Sequence, residues 1–212
     1  MAESPKKERT FWYTVARGFA CVLFHTLCPV RTLRPERLQR EAPFLLISNH
    51  LSWMDPLAAG RYVTRYETVF LGKKELVKTN LAYWLLTRLH MIIVDRHASD
   101  MEAMRACLRT LKEGHVLGIF PEGTRHHQGI MEEIESGTSL IALRSGVPVI
   151  PVLISGKIRP FHKVYVLCGE PIPTEDLRAQ GVNSASAEAL TERIRETYRR
   201  MLQELPAAAK AN

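Results

Sequence analysis

His50 and Asp55 stand five residues apart in the run Asn49-His-Leu-Ser-Trp-Met-Asp55, which follows the apolar stretch 44–48. An imidazole with one nitrogen held by a carboxylate keeps the other free to accept a proton, which is what makes an alcohol nucleophilic. Positions five apart on a continuous helix point about 140° from one another, so His50 and Asp55 can meet only across a turn. A purely structural reading competes: Asp55 before Pro56 fits a helix N-cap followed by a first-turn proline, with His50 filling a polar loop. The two roles are compatible, since one carboxylate oxygen can cap while the other holds the ring.

Two further polar clusters follow apolar runs. Asp95-Arg96 comes directly after Met91-Ile-Ile-Val94, and the planar fork of Arg96 suits a phosphate as well as a nearby carboxylate. Phe120-Pro-Glu-Gly-Thr-Arg125 combines Glu122, a glycine at 123 that permits close backbone approach, the Thr124 hydroxyl and the fixed charge of Arg125. Such a run can cradle a phosphate. His126 and His127 follow at once, but no HExxH pattern or carboxylate cluster accompanies them, so no metal site is expected.

The elements that must carry these clusters alternate after Pro43. Strands are expected over 44–48, 68–71, 91–94, 116–120, 147–154 and 163–168, with helices over 56–66, 73–90, 99–111, 137–145 and 187–205. This order predicts an α/β fold, a single-domain sheet flanked by helices, and places all three clusters at strand ends, where open α/β sheets gather ligands. The expected division is a basic, membrane-associating segment over 1–43, one domain over 44–205 and a disordered tail over 206–212.

Residues 11–28 form an amphipathic helical pattern, with Phe11, Trp12, Val15, Ala16, Phe19, Val22, Leu23 and Leu27 on one broad arc and Thr14, Arg17 and His25 opposite. Arg17 makes a full crossing of a bilayer costly, so a monotopic helix lying in the interface is expected; a helix packed only on the domain's own core is the alternative. Basic residues flank it on both sides, Lys6, Lys7 and Arg9 before and Arg31, Arg34, Arg37 and Arg40 after. With a net charge of +7 in 212 residues, that flanking points to an anionic membrane surface. Nucleic acid is excluded as a partner, as no zinc finger, RNP motif or basic–aromatic interleaving is present. Cys21, Cys28, Cys107 and Cys168 lack CxxC spacing, which argues against a zinc site or a disulfide framework and for a reducing, cytoplasmic setting with buried thiols.

Taken together, NHLSWMD at 49–55, IIVDR at 92–96, FPEGTR at 120–125 and VPVIPV at 147–152 resemble, in order, the four blocks of the PlsC-type 1-acyl-glycerol-3-phosphate acyltransferases; Lys73-Lys-Glu-Leu76 is a further match. The resemblance covers about 44–152 closely and the remainder loosely. It implies His50 as general base toward the free hydroxyl of a lysophospholipid acceptor, Asp55 as its orienting partner, and direct attack on an acyl thioester of acyl carrier protein or coenzyme A without an acyl-enzyme. The absence of a GxSxG elbow, and of a cysteine beside any block, agrees with that. Glu122, Gly123, Thr124 and Arg125 would bind glycerol and phosphate, with Arg96 and, more weakly, Lys73 and Lys74 contributing. Pro148 and Pro151 in the fourth block would shape an acyl tunnel and support the sheet. No cofactor is implied beyond the thioester co-substrate. The family often carries a Phe-Lys-x-Gly segment where this chain has Ile134-Glu-Ser-Gly137, so Glu135 replaces a cation. Three other functions are weighed: acylation of another lyso-lipid, of glycerol phosphate or of an amino-acid-linked lipid; a non-catalytic membrane lipid-binding protein, against which the intact His50 and Asp55 argue; and a metal-dependent phosphatase or esterase, which lacks further ligands. The expected location is peripheral or monotopic on the cytoplasmic face of the cell membrane.

Overall fold

The alternation of short β-branched runs with amphipathic ones folds into a seven-stranded sheet between two helical layers. The computed structural model describes residues 10–73, 91–94, 100–123 and 129–210. The strands are β1 (Val30–Leu33), β2 (Phe44–Ser48), β3 (Thr68–Lys73), β4 (Ile92–Val94), β5 (Val116–Ile119), β6 (Val149–Ile154) and β7 (Val164–Cys168), in the order β1-β7-β6-β2-β5-β3-β4. β6, β2, β5, β3 and β4 run parallel, while β7 turns back antiparallel to β6 and pairs with a parallel β1. The described helices are α1 (Phe11–Thr26), α2 (Asp55–Gly60), α3 (Asp100–Lys112), α4 (Ser136–Ser145), α5 (Glu175–Ala179), α6 (Ser184–Glu204) and α7 (Ala207–Lys210).

β2 is the centre. All five of its residues are buried, and their alternation feeds two cores: Leu45 and Ile47 pack toward α3, α4 and α6, whereas Phe44 and Leu46 pack toward α1 and α2. Helices therefore cover both faces, as near-continuous apolar strands require. From the second layer, Tyr198 of α6 reaches the sheet, its hydroxyl 2.8 Å from the carbonyl of Ile47 and 3.2 Å from that of Val152. Complete burial holds this phenol well above its ordinary pKa, and the charge of Glu122 adds to the effect, so the group donates rather than ionises.

Several expectations change. Residues 30–38 of the segment expected over 1–43 belong to the domain: Val30–Leu33 pairs with β7, and the 3-10 turn Pro35–Leu38 buries Leu38. This strand is short and carries Arg31 on an exposed position, so it lacks the apolar run that marks the others. Nor is the tail over 206–212 irregular throughout, because α7 forms and Ala209 is buried in the core. The helix expected over 56–66 stops at Gly60, whose Cα lies so close to Thr68 and Phe70 that an added Cβ would sit 3.3 Å from both. The helix expected over 73–90 lies outside the described residues, apart from Lys73 as the last residue of β3.

Removing the Tyr198 hydroxyl deletes a buried hydrogen bond while keeping the ring. Tyr198→Phe is expected to lower stability by about 1 kcal/mol with an unchanged denaturant slope in urea titration; an unaltered midpoint would contradict the bond's contribution.

Candidate active site

Asp55 fixes the loop between β2 and α2. It is fully buried and is the first residue of α2, with Met54 at the preceding position, so it does not serve as the N-cap expected from its place before Pro56. Its carboxylate instead turns back over the loop. Oδ2 accepts from the backbone N–H groups of Leu51 and Ser52, both at 2.6 Å, and lies 3.0 Å from Nδ1 of His50, while Oδ1 accepts from Oγ of Ser52 at 3.0 Å. Ser52 Oγ in turn accepts from the Met54 N–H at 3.1 Å. Because the carboxylate can only accept, a neutral imidazole in this position carries its proton on Nδ1 and leaves the lone pair on Nε2.

The backbone of the histidine is held from two other strands. Asn49, also fully buried, forms a pair of hydrogen bonds with the end of β6, its side chain donating to the Ile154 carbonyl at 2.9 Å and accepting from the Ile154 N–H at 2.8 Å. Glu122, beyond the end of β5, accepts from the His50 N–H at 2.7 Å and from the Met131 N–H at 2.8 Å. This buried carboxylate thus positions the histidine, a role that its place in an acceptor-binding run did not reveal. The sequence pattern assigns Asn49 no role of its own; the available signal is an amide that begins the block where the apolar run ends.

One face of the imidazole is covered. The ring of Phe120 stacks on His50 at 4.3 Å between centroids, and Phe70 stacks on Phe120 at 5.6 Å. Phe70 has space only because its partner across the β3–β5 pair is Gly118, where a Cβ would meet the ring at 2.3 Å. The His50 side chain remains 19% exposed, leaving an approach from solvent or ligand.

Gly123 has φ +65°, a left-handed conformation that favours glycine, and the Glu135 carboxylate lies over its Cα, where a Cβ would fall 1.8 Å from Oε1. The substituted Glu135 is thereby found against the third block. Lys73 ends β3 in register with Val94. Lys74, Arg96, Thr124, Arg125, His126 and His127 lie outside the described residues. In the fourth block, Pro151 is paired with Ile47 and the Pro148 carbonyl accepts from the Leu45 N–H, so the block builds the sheet beside β2.

A small apolar groove lies elsewhere, between α1, α2 and β3, lined by residues that include Ala16, Ala20, Leu57, Phe70 and Met91. Arg17 Nε, Arg61 Nε and Thr68 Oγ1 stand on its wall without a hydrogen-bond partner. It adjoins the stack that begins at His50, since Phe70 belongs to both. The cysteines take no part: Cys28, Cys107 and Cys168 are buried, with burial pushing the thiols of Cys107 and Cys168 up to about 11 and about 12, and Cys21 is exposed on α1.

Comparison with known proteins places this geometry. An acyltransferase family model matches residues 30–155. The chain is similar to the 1-acyl-sn-glycerol-3-phosphate acyltransferase of Bacillus subtilis, 27% identical over 175 residues that cover 79% of this chain and 87% of the relative. It is also similar to the alpha form of that enzyme from Bos taurus, 30% identical over 178 residues covering 77% of this chain and 59% of the relative. The crystal structure of PlsC, the 1-acyl-sn-glycerophosphate acyltransferase of Thermotoga maritima, superposes with a TM-score of 0.68 at 25% identity, covering 92% of this chain and 80% of that one. The chain therefore belongs to the acyltransferase family that includes the PlsC-type enzymes.

Proposed function

We propose that this protein transfers a fatty acyl group from an acyl thioester to the free sn-2 hydroxyl of 1-acyl-glycerol-3-phosphate, giving phosphatidic acid. The observation that carries the reading is the buried Asp55 carboxylate 3.0 Å from Nδ1 of His50, which leaves Nε2 as the acceptor for a hydroxyl proton. As Nε2 takes the proton, the acceptor oxygen attacks the thioester carbonyl. The tetrahedral intermediate collapses with loss of the thiolate, and the imidazolium returns its proton to the leaving sulfur, so base and acid are the same residue. Asp55 stabilises the imidazolium between these steps. No protein nucleophile is needed, and the buried thiols agree with direct transfer.

The acceptor phosphate is assigned to Arg96, Thr124, Arg125 and Lys73, with the Gly123 backbone near the glycerol and Glu122 holding the histidine in place. The groove bordered by Phe70 is the candidate site for an alkyl chain, its unpartnered donors matching an ester or thioester oxygen. Either acyl carrier protein or coenzyme A fits as donor, the net charge of +7 favouring both. A second reading, an acceptor that is a different lyso-lipid, is favoured by one observation: the Glu135 carboxylate lies against Gly123 in the block assigned to the acceptor headgroup.

The site works at a membrane surface in this reading. α1 buries Ala20 and Phe24 against the domain and turns Arg17 inward, where Nη1 donates to the Arg61 carbonyl at 3.2 Å. Its outer side exposes Phe11, Trp12, Val15, Phe19 and Val22. The helix packs on its own domain and also presents an apolar strip. No described helix is long and apolar enough to cross a membrane, so a monotopic placement fits this strip.

With labelled acyl thioester and a panel of lyso-acceptors, His50→Ala and Asp55→Asn are expected to lower transfer to lysophosphatidic acid by about 10²–10⁴-fold and chelators to leave it unchanged. Full transfer by the His50 variant, or its loss on chelation, would overturn the mechanism. For membrane attachment, Phe19→Asp combined with Val22→Asp should abolish sedimentation with vesicles while preserving the melting transition; continued sedimentation would contradict an α1 anchor.

A further inference from the structure

The loop between β6 and β7, residues 155–163, has no part in the chemistry above, yet its composition and setting are unusual. Its sequence Ser-Gly-Lys-Ile-Arg-Pro-Phe-His-Lys contains three fixed cations, Lys157, Arg159 and Lys163, and no acid. Phe161 in the middle of these is 81% exposed, more than any other large apolar side chain among the described residues. Its φ is +60°, a left-handed conformation that a bulky residue adopts only when the surroundings impose it.

The surroundings do impose it. The Phe161 N–H donates to the Leu27 carbonyl at 2.8 Å, at the C-terminal end of α1, and the Val164 N–H donates to the Pro29 carbonyl at 2.9 Å. Ile158 is buried in the core shared with α1, and the Ser155 hydroxyl accepts from the Tyr165 N–H at 3.0 Å. Neck, middle and tip are therefore all fixed, and an aromatic ring is held out in solvent from a backbone tied to the C-terminal end of α1, the helix that carries the exposed apolar strip. A ring so presented, with cations on both sides of it in the loop sequence, matches the boundary between the acyl chains and the phosphates of an anionic bilayer.

The placement also bears on catalysis. The loop leaves β6 at Ile154, the residue that Asn49 clamps in both directions, and β6 runs parallel to β2. Loop and His50 consequently emerge from the same edge of the sheet. We propose that this loop is a second membrane contact, with Phe161 entering the interface and Lys157, Arg159 and Lys163 meeting lipid phosphates, so that α1 and the loop together seat the catalytic edge on the bilayer. The proposal rests on the interfacial reading of α1. An acidic carrier protein would also meet the cations, but it gives no reason for the bare ring or for its attachment to α1.

The test uses the full chain and vesicles of phosphatidylcholine with and without phosphatidylglycerol. Replacing Lys157, Arg159 and Lys163 with Gln is expected to weaken binding to the anionic vesicles by roughly 100-fold, about fivefold per charge, with little change for the zwitterionic ones. Phe161→Gly removes the ring and also relieves the left-handed strain, so it should raise the melting temperature while weakening binding to both vesicle types; a merely structural role would not give that pair of changes. Wild-type affinity in every loop variant, alongside loss of binding in the Phe19→Asp, Val22→Asp chain, would overturn the loop proposal and leave the α1 anchor standing. Unchanged binding in all variants would overturn both the α1 anchor and the loop contact. Selective loss of affinity for acyl carrier protein, with vesicle binding intact, would reassign the loop to that partner and equally overturn the proposal.

Discussion

The arrangement depends on one buried charge. A carboxylate with no access to water costs several kcal/mol unless donors surround it, and Asp55 meets this demand with two backbone amides, a serine hydroxyl and an imidazole drawn from the five residues before it. The loop is thus wound by the need to satisfy the carboxylate. His50 is oriented as a consequence, because its Nδ1 is one of the required donors.

Around that loop, the sheet supplies fixed points. Asn49 ties the end of β2 to the end of β6, and Glu122 ties the loop to the far end of β5. The Phe70–Phe120 stack covers one face of the base and borders the groove, and Gly118 and Gly60 provide the space in which Phe70 lies. Polar clamps thus set position to within hydrogen-bond tolerance, while the aromatic rings limit water on one side of the imidazole. Both are forms of preorganisation that a mobile loop could not supply.

Local periodicity made much of this legible. β2, β5 and the long helix α6 carry uninterrupted patterns, and four blocks in order pointed to the family. What remained hidden arose from long-range pairing. Val30–Leu33 becomes a strand only because β7 turns back antiparallel to β6, which no pattern in its own four residues announces. Asp55 before Pro56 obeys the statistics of a cap, yet the carboxylate is taken by the loop instead, a tertiary competition that propensity cannot weigh. The hold of Glu122 on the backbone is hidden for the same reason: its partners, His50 and Met131, are distant in sequence or on the far side of a turn. The pattern of α1 sets Arg17 opposite the apolar arc, but that this polar position faces the domain follows only from its distant carbonyl partner on Arg61.

The central claim is that Asp55 fixes His50 with its proton on Nδ1 and Nε2 bare. ¹⁵N chemical shifts of the His50 ring, measured near neutral pH on the folded protein and on Asp55→Asn, test it most directly. The expected result is a protonated Nδ1 and an unprotonated Nε2 in the native protein, with the preference lost in the variant. A proton on Nε2 in the native protein, or the same tautomer in both proteins, would contradict it.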